Sequence, residues 1–170
     1  MRLLWQAVDT PAELRSILAT LGEHYPIERR TGEGVQLSFQ KARKPGVCEV
    51  RLRNSAAVIR YSAPVQAARA VGALLSGLVK PGRIYREATP FKMVGIMLDC
   101  SRNAVPNVEH VKRWMRRLAL LGYNMVMLYT EDTYQLDGEP WFGYARGAYT
   151  KAELKAIDQY AARLGIEVIP

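Results

Sequence analysis

The sequence predicts an α/β chain in two parts: a small α+β domain over residues 1–88 and a βαβαβ unit within residues 89–170. In the first part, short segments alternate between apolar and polar residues, which is typical of strands with one buried face. In the second part, the order helix, glycine, apolar strand occurs twice. That order is typical of parallel strands joined by right-handed helical crossovers.

The composition is that of an ordinary globular protein. Of the 170 residues, 49% are apolar and 24% are charged, enough for one sizeable core or two small ones. No apolar run approaches the length that spans a bilayer, and polar residues interrupt the N-terminus too early for a signal peptide. Cys48 and Cys100 match no disulfide or metal-ligand spacing. We therefore expect a cytoplasmic protein with no membrane partner and no cofactor.

The net charge of +8 lies in one half of the chain. Residues 1–92 carry 15 Lys or Arg and 7 Asp or Glu, whereas residues 93–170 carry 9 of each, a break that supports two domains. The basic segment is either a solvated sheet face or a surface that touches nucleic acid. No aromatic residues interleave with it, so we expect no nucleic-acid partner. The basic residues in question are Arg29, Arg30, Lys41, Arg43, Lys44, Arg51, Arg53 and Arg60.

The first domain begins with a predicted helix. Thr10 is a candidate N-cap, Pro11 fits the first helical position, and Glu13 can complete a capping box. A helical stripe of Leu14, Ile17, Leu18 and Leu21 follows, and Gly22 can end the helix.

Three segments with a period of two residues come next. Residues 35–40, 48–53 and 58–61 alternate apolar and polar side chains, which predicts antiparallel strands with one wet face. An Ala- and Leu-rich helix over residues 64–79 is predicted to cover the buried face. Pro81 and Gly82 can end that helix.

The second part predicts three strands and two helices. The strands are expected over residues 93–99, 124–129 and 166–169, and the helices over 107–121 and 150–164. Asn107 is a good N-cap, and Thr150 with Glu153 has the pattern of a capping box. Three parallel strands with two helices leave much of a sheet uncovered. We therefore expect this chain to be a truncated part of a larger sheet.

Polar side chains follow the first two of these strands, where chemistry is sited in parallel α/β proteins. Asp99 and Arg102 follow the first strand. They form either an ion pair that ties the strand end to its loop or, with the guanidinium turned inward from the rim, a fork for two neighbouring sugar hydroxyls. Tyr129 ends the second strand, and Glu131 and Asp132 follow it. These two carboxylates either solvate the loop or contact a ligand.

The aromatic residues and the histidines give weaker indications of a functional site. An aromatic-rich loop either packs on itself or offers faces to sugar rings. Its residues, with Tyr129 before it, are Tyr134, Trp141, Phe142, Tyr144 and Tyr149. Neither His24 nor His110 suits a catalytic role, and no Ser-His-Asp arrangement, phosphate loop or metal-ligand cluster is visible.

Several of these motifs fall in an order, and with gaps, that resemble the start of the catalytic barrel of family 20 glycoside hydrolases, the β-N-acetylhexosaminidases. The residues within these motifs are similar to those of the bacterial exo-β-N-acetylglucosaminidase branch. Residues 1–88 resemble, more weakly, the small α/β domain that precedes the barrel in this family. The matching segments are 95–102, Pro106, 121–124, 128–134 and 149–170.

The resemblance implies a (β/α)₈ barrel, of which this chain holds the first three strands and two helices. Arg102 matches the arginine that binds the 3- and 4-hydroxyls of the terminal sugar, and Asp99, Tyr129 and Asp132 are further substrate-binding candidates. Glu131 stands where most members carry an Asp that supports a histidine beside the catalytic acid. Val94 stands where many members have an arginine.

The family mechanism is retaining and substrate-assisted, an exception to the use of two enzyme carboxylates. The acetamido oxygen of the substrate attacks the anomeric carbon, and an Asp-Glu pair on the fourth strand positions that group and protonates the leaving oxygen. By resemblance, that pair lies beyond Pro170, so the chain has no catalytic residue of its own beyond the supporting candidate Glu131.

The expected partner is a glycan ending in an N-acetylhexosamine, and no cofactor is implied. Exposed barrel edges make self-association possible. A second hypothesis is a non-catalytic carbohydrate-binding or packing module.

Overall fold

The computed structural model describes residues 1–102 and 104–170, which form two sheets and four helices. Along the chain the elements are β1 (Leu3–Leu4), α1 (Ala12–Gly22), β2 (Ile27–Glu28), β3 (Val35–Lys41), β4 (Val47–Arg53), β5 (Ala56–Tyr61), α2 (Pro64–Leu75), β6 (Ile84–Ala88), β7 (Gly95–Asp99), α3 (Val108–Leu121), β8 (Met125–Tyr129), α4 (Lys151–Arg163) and β9 (Glu167–Ile169). None of the described helices combines the length and apolar character needed to cross a bilayer.

The first sheet has the strand order β2-β1-β3-β5-β4-β6. The prediction of purely antiparallel strands is wrong, because β3 runs parallel to β5, while β4 is antiparallel to both β5 and β6. A two-residue turn at Asn54 and Ser55 folds β5 back on β4, and β5 then lies between β4 and β3. Asn54 has φ 49°, a conformation that asparagine tolerates well. The short strands β1 and β2 and the strand β6 were not predicted.

The predicted stripe of α1 is confirmed, but its predicted cap is wrong. Pro11 occupies the cap position without a side-chain bond, and the buried Thr10 hydroxyl has no hydrogen-bond partner. Glu13 instead accepts hydrogen bonds from Lys41 Nζ at 2.6 Å and from the Tyr61 hydroxyl at 3.0 Å. These long-range partners hold the carboxylate away from the helix start.

Helix α2 covers the buried face of the first sheet, as predicted, but it is shorter than expected. It ends at Leu75 rather than at residue 79, because Gly77 adopts φ 73°, where a glycine costs least. The residues of α2 that pack inward are Ala67, Ala68, Ala70, Val71, Gly72, Ala73 and Leu74.

The second sheet is the predicted parallel unit, in the order β7-β8-β9. The residues predicted to begin and end its helices are confirmed. The Asn107 side chain caps α3 by accepting a hydrogen bond from the backbone N–H of His110 at 2.8 Å, and Gly122 ends α3 at φ 89°. Thr150 and Glu153 form the complete capping box of α4.

The two faces of this sheet differ. Val126 and Leu128 are buried in the hydrophobic core, and the partly buried Ile96, Leu98 and Val168 pack against it. On the opposite face the paired residues are Gly95 with Met125, Met97 with Met127, and Asp99 with Tyr129. Met97 is 56% exposed. The opposite face is therefore largely apolar until its last pair, which is polar.

The two halves of the chain share one hydrophobic core. A single cluster of buried side chains runs through both sheets and all four helices, and α2 packs against α3 so closely that a Cβ on Gly72 would lie 2.0 Å from the Leu120 carbonyl oxygen. Arg163 of α4 also reaches α1, donating to Thr20 Oγ1 at 3.1 Å and to Glu23 Oε1 at 2.6 Å. The domain boundary near residue 88 stays a prediction.

A buried carboxylate lies on the face of the first sheet that the helices leave uncovered. Glu49 is 1% exposed and accepts from Arg86 at 2.6 and 3.0 Å and from Arg51 at 3.2 Å, with Arg60 3.8 Å away. The bond from Arg86 is the main cause of a Glu49 pKa below its ordinary value of 4.5.

Gly72→Ala is expected to destabilise the chain by about 1–3 kcal/mol, because the added methyl group overpacks the contact with α3. In an unconstrained helix the same change stabilises by up to about 1 kcal/mol, so the sign of the effect reports the close approach. Urea unfolding of the two proteins measures it. A more stable variant would contradict this packing.

Glu49→Gln is expected to lower the free energy of unfolding by about 1–3 kcal/mol at pH 7, because the charged hydrogen bonds from Arg86 and Arg51 and the attraction to Arg60 are weakened. The folded-state pKa of Glu49 is lowered, so its contribution is complete above the unfolded value of 4.5. It is lost as pH falls through the folded pKa. The free energies of unfolding of Glu49→Gln and of the unchanged protein should therefore converge as the pH falls across that range.

The matched control for this pH series is Glu109→Gln. Glu109 pairs with Lys112 on the surface and its side chain is 75% exposed, so its removal should change stability by less than about 0.5 kcal/mol. Equal losses of stability in both variants would show that the Glu49 cluster stabilises the fold no more than an exposed ion pair does.

Candidate functional site

The candidate site lies where β7 and β8 end. Asp99 and Tyr129 are the last residues of these strands, and they are paired in register. Because side chains alternate along a strand and the two strands are parallel, both side chains project from the face opposite the helices. The loops that follow bring Arg102 and Glu131 to the same edge.

Asp99 organises the turn that follows β7. Its Oδ1 accepts hydrogen bonds from the Ser101 hydroxyl at 2.8 Å, the Ser101 N–H at 3.0 Å and the Arg102 N–H at 3.2 Å. The Ser101 hydroxyl is the main cause of a lowered Asp99 pKa, since these donors favour the ionised form. The site therefore presents a fixed negative charge at neutral pH.

Arg102 forms the ion pair that was one of its two interpretations. Its Nε lies 3.1 Å from Asp99 Oδ2, and its Cζ lies 5.8 Å from the centroid of the Tyr129 ring. The side chain is 70% exposed, so the guanidinium leans across the strand ends and is open to solvent on its outer side. The inward direction of this guanidinium from the rim and its contact to sugar hydroxyls stay predictions.

Tyr129 connects Arg102 to Glu131. The Tyr129 hydroxyl donates to Glu131 Oε1 at 2.9 Å, and this bond is the main cause of a raised Tyr129 pKa. Glu131 adopts φ 49°, a left-handed conformation that costs a glutamate of the order of 1 kcal/mol. The backbone strain thus falls on a residue of the predicted site.

Asp132 turns away from this chain of contacts. Its Oδ1 is bound by Arg146 at 2.6 Å, so the structure places it in the loop and not against Asp99. A Cβ on Gly143 would lie 2.2 Å from the Asp132 carbonyl oxygen, which shows how tightly the loop closes. Arg146 was not predicted as a partner of Asp132, because the two residues are fourteen positions apart and no local pattern links them.

The aromatic loop packs on itself and also offers an exposed pair. Tyr134 and Phe142 meet edge to face with centroids 5.2 Å apart, and the buried Tyr149 hydroxyl donates to the Pro106 carbonyl at 2.5 Å. Trp141 and Tyr144 also meet edge to face at 5.2 Å, yet they are 74% and 69% exposed. The packing interpretation is therefore confirmed for Tyr134, Phe142 and Tyr149, and sugar binding by the exposed pair stays a prediction.

A cavity of about 590 Å³ lies on the helix side of the second sheet, behind the face from which Asp99 and Tyr129 project. Glu131 forms part of its wall on the strand side, and Asp158 of α4 lies on the helix side. The remaining lining residues are Leu128, Thr130, Tyr134, Leu154, Val168 and Pro170. Mostly apolar walls with a few polar groups are typical of small-molecule sites.

The arrangement can hold hydroxyl groups, but it shows no proton-transfer pair. Within residues 1–102 and 104–170 no cluster of His, Cys, Asp and Glu could hold a metal ion. His110 lies on α3, where its Nε2 accepts from Trp114 Nε1 at 2.8 Å. Both cysteines are buried and free, and burial raises the pKa of Cys48 to about 12, which makes it a poor nucleophile.

Comparisons with known proteins identify similar chains. No family model matches the sequence. A β-hexosaminidase of Vibrio furnissii is 30% identical over 123 residues, which cover 55% of this chain and 19% of that protein.

The fold also matches solved structures. An exo-β-N-acetylglucosaminidase of Vibrio harveyi, in complex with N-acetylglucosamine, has a TM-score of 0.75 at 18% identity, covering 99% of this chain and 32% of its own. A β-N-acetylhexosaminidase of Streptomyces coelicolor has a TM-score of 0.71 at 22% identity, covering 100% and 41%.

These matches confirm the resemblance to family 20 glycoside hydrolases. The fold is shared over almost the whole chain, and the relatives are hexosaminidases. The chain spans between a fifth and two fifths of the length of these relatives. None of the comparisons assigns a role to Asp99, Arg102, Tyr129, Glu131 or Asp132, so their roles stay predictions.

Two substitutions at one position test the strain at Glu131. Glu131→Asn and Glu131→Gln both remove the carboxylate, but asparagine is several-fold enriched in the left-handed region. The Asn variant is therefore expected to be more stable than the Gln variant by about 0.5–1 kcal/mol, measured by thermal or urea unfolding. Equal stabilities would show that the backbone here is unstrained.

Proposed function

We propose that this chain is the N-terminal part of a β-N-acetylhexosaminidase that hydrolyses terminal N-acetylglucosamine or N-acetylgalactosamine from glycans. The observation that carries the proposal is the contact chain Asp99–Arg102–Tyr129 at the carboxyl ends of two adjacent parallel strands. In barrels of this type, substrate groups bind at that edge. The fold common to this chain and known hexosaminidases supports the same assignment.

In this proposal β7, β8 and β9 are the first three strands of a (β/α)₈ barrel. Asp99 holds the Arg102 side chain through Nε, which leaves the terminal guanidinium nitrogens to bind two neighbouring hydroxyls of the terminal sugar. The Tyr129 ring supports the guanidinium from one side. Glu131 supports a histidine beside the catalytic acid, and Asp132, which Arg146 binds, is a further substrate-binding candidate.

Bond cleavage follows the substrate-assisted, retaining route. The acetamido oxygen of the substrate attacks the anomeric carbon, the leaving oxygen takes a proton, and water then opens the cyclic intermediate. The groups that position the acetamide and move the proton belong to the part of the relatives that this chain does not span. The 170 residues alone are therefore proposed to be inactive.

The second candidate is a carbohydrate-binding or packing module without hydrolase activity. The exposed Trp141–Tyr144 pair favours it, because aromatic faces bind the apolar faces of sugars. Assays of the protein made from the longest open reading frame that contains this sequence separate the candidates, since a binding module binds N-acetylglucosamine without turning over its aryl glycoside. A cytoplasmic location, and self-association through the exposed face around Met97, remain proposals.

The test uses the longest open reading frame that contains this sequence. That protein is expected to release the aryl group from an aryl N-acetyl-β-glucosaminide, and Arg102→Ala is expected to cost about 2–4 kcal/mol in kcat/KM, because a charged two-hydroxyl contact is lost. The readout is the initial rate as a function of substrate concentration.

The matched control is Arg113→Ala, which removes an exposed arginine within α3. Its kcat/KM should equal that of the unchanged protein. An inactive full-length protein would refute the proposed function, and equal rates for Arg102→Ala and the unchanged protein would remove Arg102 from the site.

A further inference from the structure

The face of the first sheet that the helices leave uncovered carries a concentrated positive charge. On β4, the buried Cys48, Val50 and Leu52 point toward the helices, so Glu49, Arg51 and Arg53 point the other way. The register pairs Glu49 with Arg60 on one side and with Arg86 on the other. We define the basic face as Arg43, Lys44, Arg51, Arg53, Arg60 and Arg86 with Glu49 at its centre.

The single carboxylate of the basic face does not satisfy its arginines. Each guanidinium has five N–H donors, whereas a carboxylate accepts about four hydrogen bonds. Arg51, Arg60 and Arg86 together therefore retain most of their donors after contacting Glu49. Glu49 holds the guanidinium groups in place, and their free edges face outward, which is the arrangement that binds carboxylate, phosphate or sulfate groups.

A concave surface adds to this charge. A cavity of about 490 Å³ lies beside Glu49 and is lined by Arg43, Lys44, Arg60 and Arg86. Lys41 also reaches this cavity, but its ammonium is already paired with Glu13. The basic groups thus converge from two strands and from the loop that joins β3 to β4.

We propose that the basic face binds an anionic polysaccharide, a glycan chain bearing carboxylate, phosphate or sulfate groups. Single-stranded nucleic acid is disfavoured, because binding it requires stacking aromatics. The aromatic residues of the strands β3, β5 and β6 belong to the other face, where Phe39 packs on Tyr61, and Tyr85 accepts from Arg69. The described residues of the basic face lie on strands and a loop, with no projecting helix to enter a DNA groove. The choice of a glycan rests on the proposed function.

The test measures binding of the 170-residue chain to fluorescently labelled dextran sulfate, with neutral dextran, a short DNA duplex and oligothymidylate as parallel probes. Dextran sulfate is expected to bind and neutral dextran is not. Raising the salt concentration should weaken the binding, because condensed counterions are released when the charges pair.

Two double variants address the face separately. Arg51→Gln with Arg60→Gln removes two groups that contact Glu49, and leaves Arg86 to neutralise it. Arg43→Gln with Lys44→Gln removes two loop groups that make no contact with Glu49, so this variant is expected to fold like the unchanged chain. Each is expected to weaken dextran sulfate binding by about tenfold. The control, Arg113→Gln with Arg117→Gln on α3, has the same net charge and should bind like the unchanged chain.

Several outcomes would overturn the inference. These are no binding to dextran sulfate at low salt, equal weakening by the α3 control, and tighter binding of either DNA probe with the same dependence on the basic face. Dextran sulfate contains no N-acetylhexosamine, so Arg102→Ala should leave its binding unchanged. A failure of the hexosaminidase proposal and a failure of the basic face are therefore separate results.

Discussion

The register between β7 and β8 is the constraint on which the candidate site depends. Because successive side chains of a strand point to opposite faces, a slip by one residue would move Asp99 or Tyr129 into the layer of helices. The register is held by burial, since Ile96, Leu98, Val126 and Leu128 must all lie in the core at once. The apolar residues of the strands thus fix the polar residues at their ends.

The position of α3 links that constraint to the rest of the chain. One side of α3 covers the second sheet, and another side packs on α2 with no room for a side chain at Gly72. Arg163 adds a polar tie between α4 and α1. The first half therefore acts as a support for the second sheet, and it keeps its own uncovered face, with the Glu49 cluster, free of that contact.

The elements that the sequence predicted well are those whose signals are local. Asn107, Gly122, and Thr150 with Glu153 mark helix ends through atoms a few residues apart, and all of them behave as expected. The Thr10 cap failed because the helix begins later, with Pro11 at the cap position, and because Glu13 is bound by Lys41 and Tyr61, which are distant in sequence. The predicted antiparallel direction of β3 is wrong for the same kind of reason. Strand order depends on long-range pairings, and the alternation of apolar and polar residues does not encode them.

The site shows the same division. Asp99, Arg102, Tyr129 and Glu131 were predicted from their places after two strands, and the structure brings them into one chain of contacts. Their mutual geometry was not predictable. The capture of Asp132 by Arg146 depends on the fold of the loop between them, and the exposure of Arg102 depends on what surrounds the strand ends.

A crystal structure of the protein made from the longest open reading frame, soaked with N-acetylglucosamine, tests the central claim most directly. The account predicts sugar at the ends of β7 and β8, with the Arg102 guanidinium within about 2.7–3.2 Å of two neighbouring hydroxyls and Asp99 still bound to Nε. Sugar bound at another place, or an Arg102 side chain turned to bulk water beside an occupied site, would contradict it.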